Sequence, residues 1–155
     1  MHAAPYYTEP VATQGNSIQA LERFVGNTPL FPLPGLVDNK RVRLYAKLEW
    51  QQLGCSVKAR PAFNIIQQAL QSGALHPGRT LVDASSGNTA IAYATFAAAL
   101  GIRVKLFVPA NASEARKRIL KSLGAELALT SPFGSTDEAQ AEARSTCESA
   151  PARYF

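Results

Sequence analysis

Three short segments of the chain combine residue types that could carry chemistry. They are residues 26–30 (GNTPL), 56–61 (SVKARP) and 85–89 (SSGNT). Taken singly, each segment is weak evidence. A Gly-Asn turn before Thr-Pro is common in loops of many proteins, and a lysine near an arginine at a helix start is usually a solvated surface pair. Their value depends on the elements that position them.

The third segment follows an apolar strand expected at residues 80–84 and opens an alanine-rich helix expected at residues 89–100. Its hydroxyls and free backbone N–H groups should therefore converge at the carboxyl edge of a parallel sheet, where anions bind. This predicts a pocket of the size of a carboxylate or a phosphate. Equally compatible with the local pattern is a simple helix cap made by Ser85 or Ser86.

Lys58 follows a turn of small residues and lies close to the start of another predicted helix. A lysine that forms a Schiff base must lose its proton at neutral pH. Desolvation and a positive helix end both lower a lysine pKa from about 10.4, so the position suits such a role. Judged by position alone, an ordinary surface lysine remains the more common alternative.

Strand and helix patterns alternate along the chain. Strands are predicted at residues 42–48 (with one face buried), 80–84, 103–108 and 126–130, helices at 61–73, 89–100, 113–123 and 137–149, and the opening of a further strand at 153–155. This alternation predicts βαβ units and an α/β fold, a three-layer parallel sheet with helices on both faces.

Composition fits one globular domain of 155 residues with 46% hydrophobic residues, preceded by a loose amino-terminal arm at residues 1–17. The net charge of +5 does not mark a nucleic-acid surface. Its densest basic cluster, at residues 116–121, lies on a predicted amphipathic helix, which indicates a solvated face. No nucleic-acid partner is expected.

Cys55 and Cys147 are far apart and match neither a disulfide framework nor a paired metal motif. Together with the absence of a secretory signal pattern, this predicts a reducing, cytoplasmic location. No apolar run is long enough to span a bilayer, so no membrane association is expected. Nor is a metal site expected.

The order of the motifs carries more information than any one of them. GNTPL, KLE at 47–49, GCSVKARP at 54–61, SSGNTA at 85–90 and PANASEARK…LGAEL at 109–127 together resemble the cysteine synthase (O-acetylserine sulfhydrylase) family. These are fold-type II pyridoxal-phosphate enzymes of the tryptophan synthase β-like superfamily. The resemblance runs from about residue 17 to the last residue and corresponds to the amino-terminal half of such enzymes.

The resemblance implies roles for individual residues. Lys58 would be the catalytic residue and would hold pyridoxal 5'-phosphate as an internal aldimine, and Asn88 would contact the phenolic oxygen of the cofactor. The α-carboxylate of the substrate would be held by the surrounding turn, that is by Ser85, Ser86, Gly87 and Thr89.

The implied reaction is β-replacement on an O-activated serine. A substrate such as O-acetylserine displaces Lys58 from the aldimine, the freed lysine removes the Cα proton, acetate leaves, and sulfide adds to the aminoacrylate to give cysteine. Expected partners are the amino-acid substrate, a sulfide donor, and a homodimer mate or a complementing carboxyl-terminal half. The alternatives are a serine/threonine dehydratase-type lyase and a non-catalytic truncated domain. A nucleotide-binding Rossmann domain is disfavoured because no G-x-G-x-x-G follows a strand.

The chain departs from the family at four positions. Leu53 stands where relatives tend to have proline, Cys55 and Ala90 where they tend to have glycine, and Ala59 where many have aspartate. The change at Cys55 matters most, because a side chain there strains the backbone if the position needs a positive φ.

Length is the larger departure, and it sets the expected domain organisation. Residues 18–41 pack on a second domain in relatives, and residues 42–155 form the amino-terminal α/β domain. We expect the second domain, with its phosphate-cradling loop, to be absent and the fold therefore to be truncated. The apolar side chains near GNTPL should then be exposed.

Overall fold

A computed structural model of the chain describes residues 17–134 and 136–155. The predicted arm therefore lies outside the described residues, apart from Ser17, whose side chain caps the first helix by accepting a hydrogen bond from the backbone N–H of Ala20. In chain order the elements are α1 (Ile18–Glu22), β1 (Leu30–Pro32), β2 (Tyr45–Lys47), α2 (Ala59–Gln71), β3 (Thr80–Ala84), α3 (Asn88–Leu100), β4 (Arg103–Pro109), α4 (Glu114–Ser122), β5 (Glu126–Thr130) and α5 (Thr136–Ser149).

The main sheet is parallel, as predicted, with strand order β3-β4-β5. Residues 153–155 add the beginning of a further parallel strand beside β3. Thr80 N donates to Arg153 O at 2.8 Å, and Phe155 N donates back to Thr80 O at 2.9 Å. The strand predicted from the last residues of the sequence is thus confirmed.

Helices cover both faces of this sheet, which confirms the predicted three layers. On β4 the side chains of Val104, Leu106 and Val108 point into one core with α2, α3 and α4, while Phe107 points into a second core with α5. α3 is buried nearly all round because most of its side chains are alanines that allow close approach; its buried residues are Ala90, Ala92, Tyr93, Ala94, Phe96 and Ala97.

The path of the chain reverses direction across the sheet at β3. From β3 the chain steps outward through α3, β4, α4 and β5, with both helices on one face. It then returns over the other face through α5 and reaches the far side of β3 at residue 154. In open α/β sheets, the carboxyl edge beside such a reversal is where ligands bind.

The prediction of a strand with one buried face at residues 42–48 is wrong in its extent and in its burial. The structure places only Tyr45–Lys47 in β2, which pairs antiparallel with β1 through Phe31 and Ala46, outside the parallel sheet. Val42 and Leu44, expected on a buried face, are 48% and 38% exposed. Alternating apolar and polar residues indicate that a strand has an apolar face, but they do not indicate whether another element of the same chain covers that face.

No helix in residues 17–134 and 136–155 combines the length and apolarity that a bilayer crossing requires.

Candidate functional site

Lys58 occupies the N-cap position of α2, and its side chain is exposed. Its backbone is fixed on both sides: Lys58 N donates to Ser56 Oγ at 3.2 Å, and Lys58 O accepts from Ala62 N at 3.1 Å. The next residue, Ala59, is fully buried. The main chain at this lysine is therefore anchored while its side chain is accessible to solvent.

The turn at residues 85–88 begins directly after the last residue of β3, at the carboxyl edge of the sheet. Gly87 is the N-cap of α3, and its N–H donates to Ser85 Oγ at 3.2 Å. Neither serine occupies the cap position, so the simple capping interpretation is wrong. Since glycine has no side chain to cap the helix, the first N–H groups of α3 remain suited to an anion.

The beginnings of α2 and α3 lie side by side. A methyl group placed on Gly54 would lie 3.5 Å from both Ala59 Cβ and Ala92 Cα, which brings the start of α2 against the second turn of α3. Four residues further along each helix, the rings of Phe63 and Phe96 are 5.6 Å apart. The two helices therefore run in the same direction, and their positive amino ends share one end of the domain.

A polar cluster that the sequence motifs did not single out joins GNTPL, KLE and SVKARP. We call it the Glu49 cluster. Its members are Thr28 of GNTPL, Glu49 of KLE, Gln52, and Arg60 of SVKARP. The only sequence signal was that Thr28, Glu49 and Arg60 each lie within a quoted motif.

Both carboxylate oxygens of Glu49 are saturated. Oε1 accepts from Arg60 Nη2 at 2.9 Å and from Thr28 Oγ1 at 2.7 Å. Oε2 accepts from Arg60 Nε at 2.9 Å and from Gln52 Nε2 at 2.7 Å. These bonds, led by those from Arg60, lower the pKa of Glu49 from 4.5 to about 2, and the same pairing raises the pKa of Arg60.

Two backbone positions beside the site adopt the left-handed region. Gly26 has φ +79°, and a Cβ there would approach Arg60 Nη1 to 3.0 Å, so glycine is required by both conformation and space. Cys55 has φ +53°, directly after Gly54 at φ +90°. The strain expected from a cysteine at this position is therefore present.

Asp83, near the end of β3, and Tyr93, in the second turn of α3, flank the turn at residues 85–88 in sequence and interact electrostatically. Burial raises the pKa of Asp83, with partial opposition from the hydrogen bond that Ala84 N donates to it. Burial, with a smaller contribution from the charge of Asp83, raises the pKa of Tyr93 to about 12. Both groups therefore favour their neutral forms more than their exposed counterparts do.

The residues present fit an aldehyde cofactor that carries a phosphate. Lys58 offers an exposed amine, and the amino ends of two helices supply positive potential beside it. The hydroxyls of the turn after β3 face the same edge. These groups match the condensation of an amine with an aldehyde and the binding of an anionic group.

Comparisons with known proteins agree with this geometry. The sequence profile of a family described as "Pyridoxal-phosphate dependent enzyme" matches residues 21–155. Cysteine synthase of Aquifex aeolicus is 42% identical over 139 residues, covering 88% of this chain and 42% of that protein. Cysteine synthase B of Pseudomonas syringae is 45% identical over 109 residues, covering 70% of this chain and 64% of that protein.

Solved structures give the same result for the fold. Cysteine synthase of Entamoeba histolytica superposes with a TM-score of 0.80 at 33% identity, covering 99% of this chain and 46% of that one. A hydrogen sulfide-producing enzyme of Fusobacterium nucleatum gives 0.79 at 31% identity, covering 89% and 41%. The expected fold of the tryptophan synthase β-like enzymes is confirmed. The chain spans less than half the length of the Aquifex and Entamoeba proteins.

The roles expected for Lys58, for Asn88, and for Ser85, Ser86, Gly87 and Thr89 remain predictions. The structure places Lys58 at the amino end of α2 and the other five at or just before the amino end of α3.

The lowered pKa of Glu49 predicts a pH-dependent contribution to stability. The unfolded chain binds more protons than the folded chain between the two pKa values, so the contribution is complete above pH 4.5 and is lost as the pH falls towards about 2. Urea unfolding should show that the difference in free energy of unfolding between the native chain and Glu49→Gln shrinks over this range. Arg60→Met should reduce the pH dependence in the same way, because it removes the main cause of the shift. A difference that stays constant down to pH 2 contradicts the assignment.

The left-handed φ of Cys55 predicts that Cys55→Gly stabilises the chain. Relief of the strain is partly offset by the larger entropy of glycine in the unfolded chain, so we expect a gain of up to about 1 kcal/mol. Cys147→Gly is the matched control: inside α5 the same change should lower the free energy of unfolding. Chemical unfolding of the three chains checks this, and a loss of stability in Cys55→Gly contradicts it.

Proposed function

The chain belongs to the family of pyridoxal-phosphate-dependent enzymes, and from this we propose that it supplies the lysine-bearing half of a β-replacement site. The proposed reaction makes cysteine from O-acetylserine and sulfide. The observation that carries the proposal is the convergence of the amino ends of α2 and α3. It brings the Lys58 turn to the same end of the domain as the turn after β3.

In this proposal Lys58 Nζ has two tasks. It would hold the cofactor through its aldehyde carbon, and once displaced by the amino-acid substrate it would take the Cα proton of that substrate. The exposed side chain and the anchored main chain of Lys58 suit both tasks, since the amine can move over a fixed base. When bound, the cofactor supplies a ring that delocalises the electron pair left on Cα.

The turn after β3 would orient cofactor and substrate. We propose that Asn88 contacts the phenolic oxygen of the cofactor. The substrate α-carboxylate would be held by the rest of the turn, namely Ser85, Ser86, Gly87 and Thr89. Support comes from the N-cap glycine, which leaves the first N–H groups of α3 available, and from the positive end of the helix dipole.

The names of similar proteins support replacement of the substituent on Cβ of a serine as the proposed reaction. Besides cysteine synthases, they include an O-acetylserine sulfhydrylase of Entamoeba histolytica and an O-ureido-L-serine synthase. Each name refers to a serine or cysteine whose Cβ carries the substituent. An O-activated serine is therefore the substrate class we propose for this site.

A second candidate, a domain that is non-catalytic on its own, is favoured by the exposed apolar surface around β1 and β2. Leu30, Phe31 and Leu36 are 63%, 54% and 68% exposed. Since the chain spans less than half the length of the Aquifex and Entamoeba proteins, we propose that a complementing carboxyl-terminal half, in which relatives cradle the cofactor phosphate, covers this surface. A homodimer mate is the other partner expected from the family.

The two candidates are separated by adding pyridoxal 5'-phosphate to the purified chain, alone and with the carboxyl-terminal half of a similar cysteine synthase. If the chain supplies the catalytic lysine, a visible absorption band should form with the added half and should be lost in Lys58→Ala. Lys121→Ala, on the exposed face of α4, is the control and should keep the band. If no Lys58-dependent band forms in either mixture, the catalytic proposal is wrong.

A further inference from the structure

The Glu49 cluster holds the turn that carries Lys58 from both sides. Upstream of the lysine, Gln52 Nε2 donates to Ser56 O at 3.0 Å as well as to Glu49. Downstream, Arg60 reaches Glu49 with two parallel N–H donors at 2.9 Å. Arg60, two residues after the lysine, is thus bonded directly to the Glu49 carboxylate, and Ser56, two residues before it, is linked to the same carboxylate through Gln52.

The geometry of this pairing is specific to arginine. Nε and Nη2 of Arg60 engage the two oxygens of Glu49 separately, which sets both the distance and the orientation of the first turn of α2. Lysine would keep the charge but could not reproduce two parallel bonds in one plane. An effect of orientation can therefore be separated from an effect of charge.

Glu49 also supplies a charge that α2 lacks. The first turn of α2, described in full, contains no acidic residue, although Lys58 and Arg60 place two positive charges at the positive end of the helix. Glu49 contributes the compensating carboxylate from outside the helix.

The cluster is tied back to GNTPL as well. Thr28 Oγ1 donates to Glu49 and accepts from Arg60 Nη2 at 3.2 Å, and Lys47 Nζ donates to Thr28 O at 2.8 Å. Gly26 N donates to Gln52 Oε1 at 2.9 Å. A rigid support therefore extends from β2 and GNTPL to the lysine turn.

We propose that Glu49 and Arg60 are positioning residues for Lys58: their two-pronged pairing fixes the turn so that the amine is presented towards the start of α3. This inference rests on the proposed function, because positioning matters only if Lys58 reacts with a carbonyl. Neither residue needs to touch cofactor or substrate.

The test compares Arg60→Lys and Glu49→Gln in the full chain, with Glu126→Gln as the control. Glu126→Gln removes a carboxylate from a different ion pair, with Lys105, on the main sheet. Each chain is treated with pyridoxal 5'-phosphate and borohydride. The amine condenses with the aldehyde and releases water, and borohydride adds hydride to the imine carbon, leaving a stable secondary amine. Peptide mapping then gives the yield at Lys58 relative to Lys121.

We expect both cluster variants to lower the Lys58-to-Lys121 ratio by about fivefold, because each disrupts the two parallel bonds that orient the first turn of α2. Glu126→Gln should leave the ratio unchanged. A lowered Lys58-to-Lys121 ratio in Arg60→Lys shows that labelling of Lys58 requires the orientation that the paired bonds give, and not the positive charge alone. Ratios equal to that of the native chain in both cluster variants overturn the inference.

Amide hydrogen exchange distinguishes failure of the positioning role from failure of the proposed function. In the cofactor-free chain, exchange at residues 58–62 should rise by about fivefold in both cluster variants, while exchange in β3 and β4 stays unchanged. If the native chain shows no preference for labelling at Lys58, the proposed function is in doubt. Unchanged exchange at residues 58–62 overturns the positioning role even then. If Arg60→Lys fails to fold, the result for Glu49→Gln, in which the side chain keeps its shape, decides whether the inference holds.

Discussion

The close contact between the amino-terminal halves of α2 and α3 is the constraint on which the rest of the structure depends. It requires small residues where backbones meet, at Gly54, Ala59 and Ala92, and large ones a turn further on, at Phe63 and Phe96. Burying one phenylalanine contributes roughly 1.5–3 kcal/mol, so this pair is a substantial part of the core. Because the helices start together, two positive helix ends and one lysine meet at one edge of the domain.

The parallel sheet and the polar cluster complete this arrangement from opposite sides. The sheet brings the turn after β3 to its carboxyl edge, next to the point where the chain reverses direction. The Glu49 cluster fixes the lysine turn from the side of β2. The main chain is anchored on both sides of Lys58 while its side chain is exposed, an arrangement that suits the role proposed for the amine.

Much of this could be predicted from sequence, for identifiable reasons. From β3 onward, strands and helices alternate in buried patterns of ordinary length, and Gly101 and Gly124 end helices as expected. The motif order gave the family. The β1–β2 pair was not predicted correctly, because three-residue strands with exposed side chains leave little periodic signal.

The polar cluster escaped prediction for a different reason. The bonds that Arg60 makes to Glu49 and Thr28 span 11 and 32 positions, and no local rule pairs an arginine with a particular distant carboxylate. Backbone strain at Cys55 could be predicted only if the residue had a positive φ, and the sequence does not reveal that angle. Both features depend on tertiary contacts.

Cross-linking between Lys58 and position 88 tests the central claim most directly. In a chain carrying Cys55→Gly, Cys147→Ala and Asn88→Cys, a short amine-to-thiol reagent should join the new thiol to Lys58 and not to Lys121, as read by peptide mass mapping. Linkage to Lys58 is the predicted result, because both residues lie at the shared amino ends of α2 and α3. Linkage only to lysines elsewhere, with the chain folded, would contradict it.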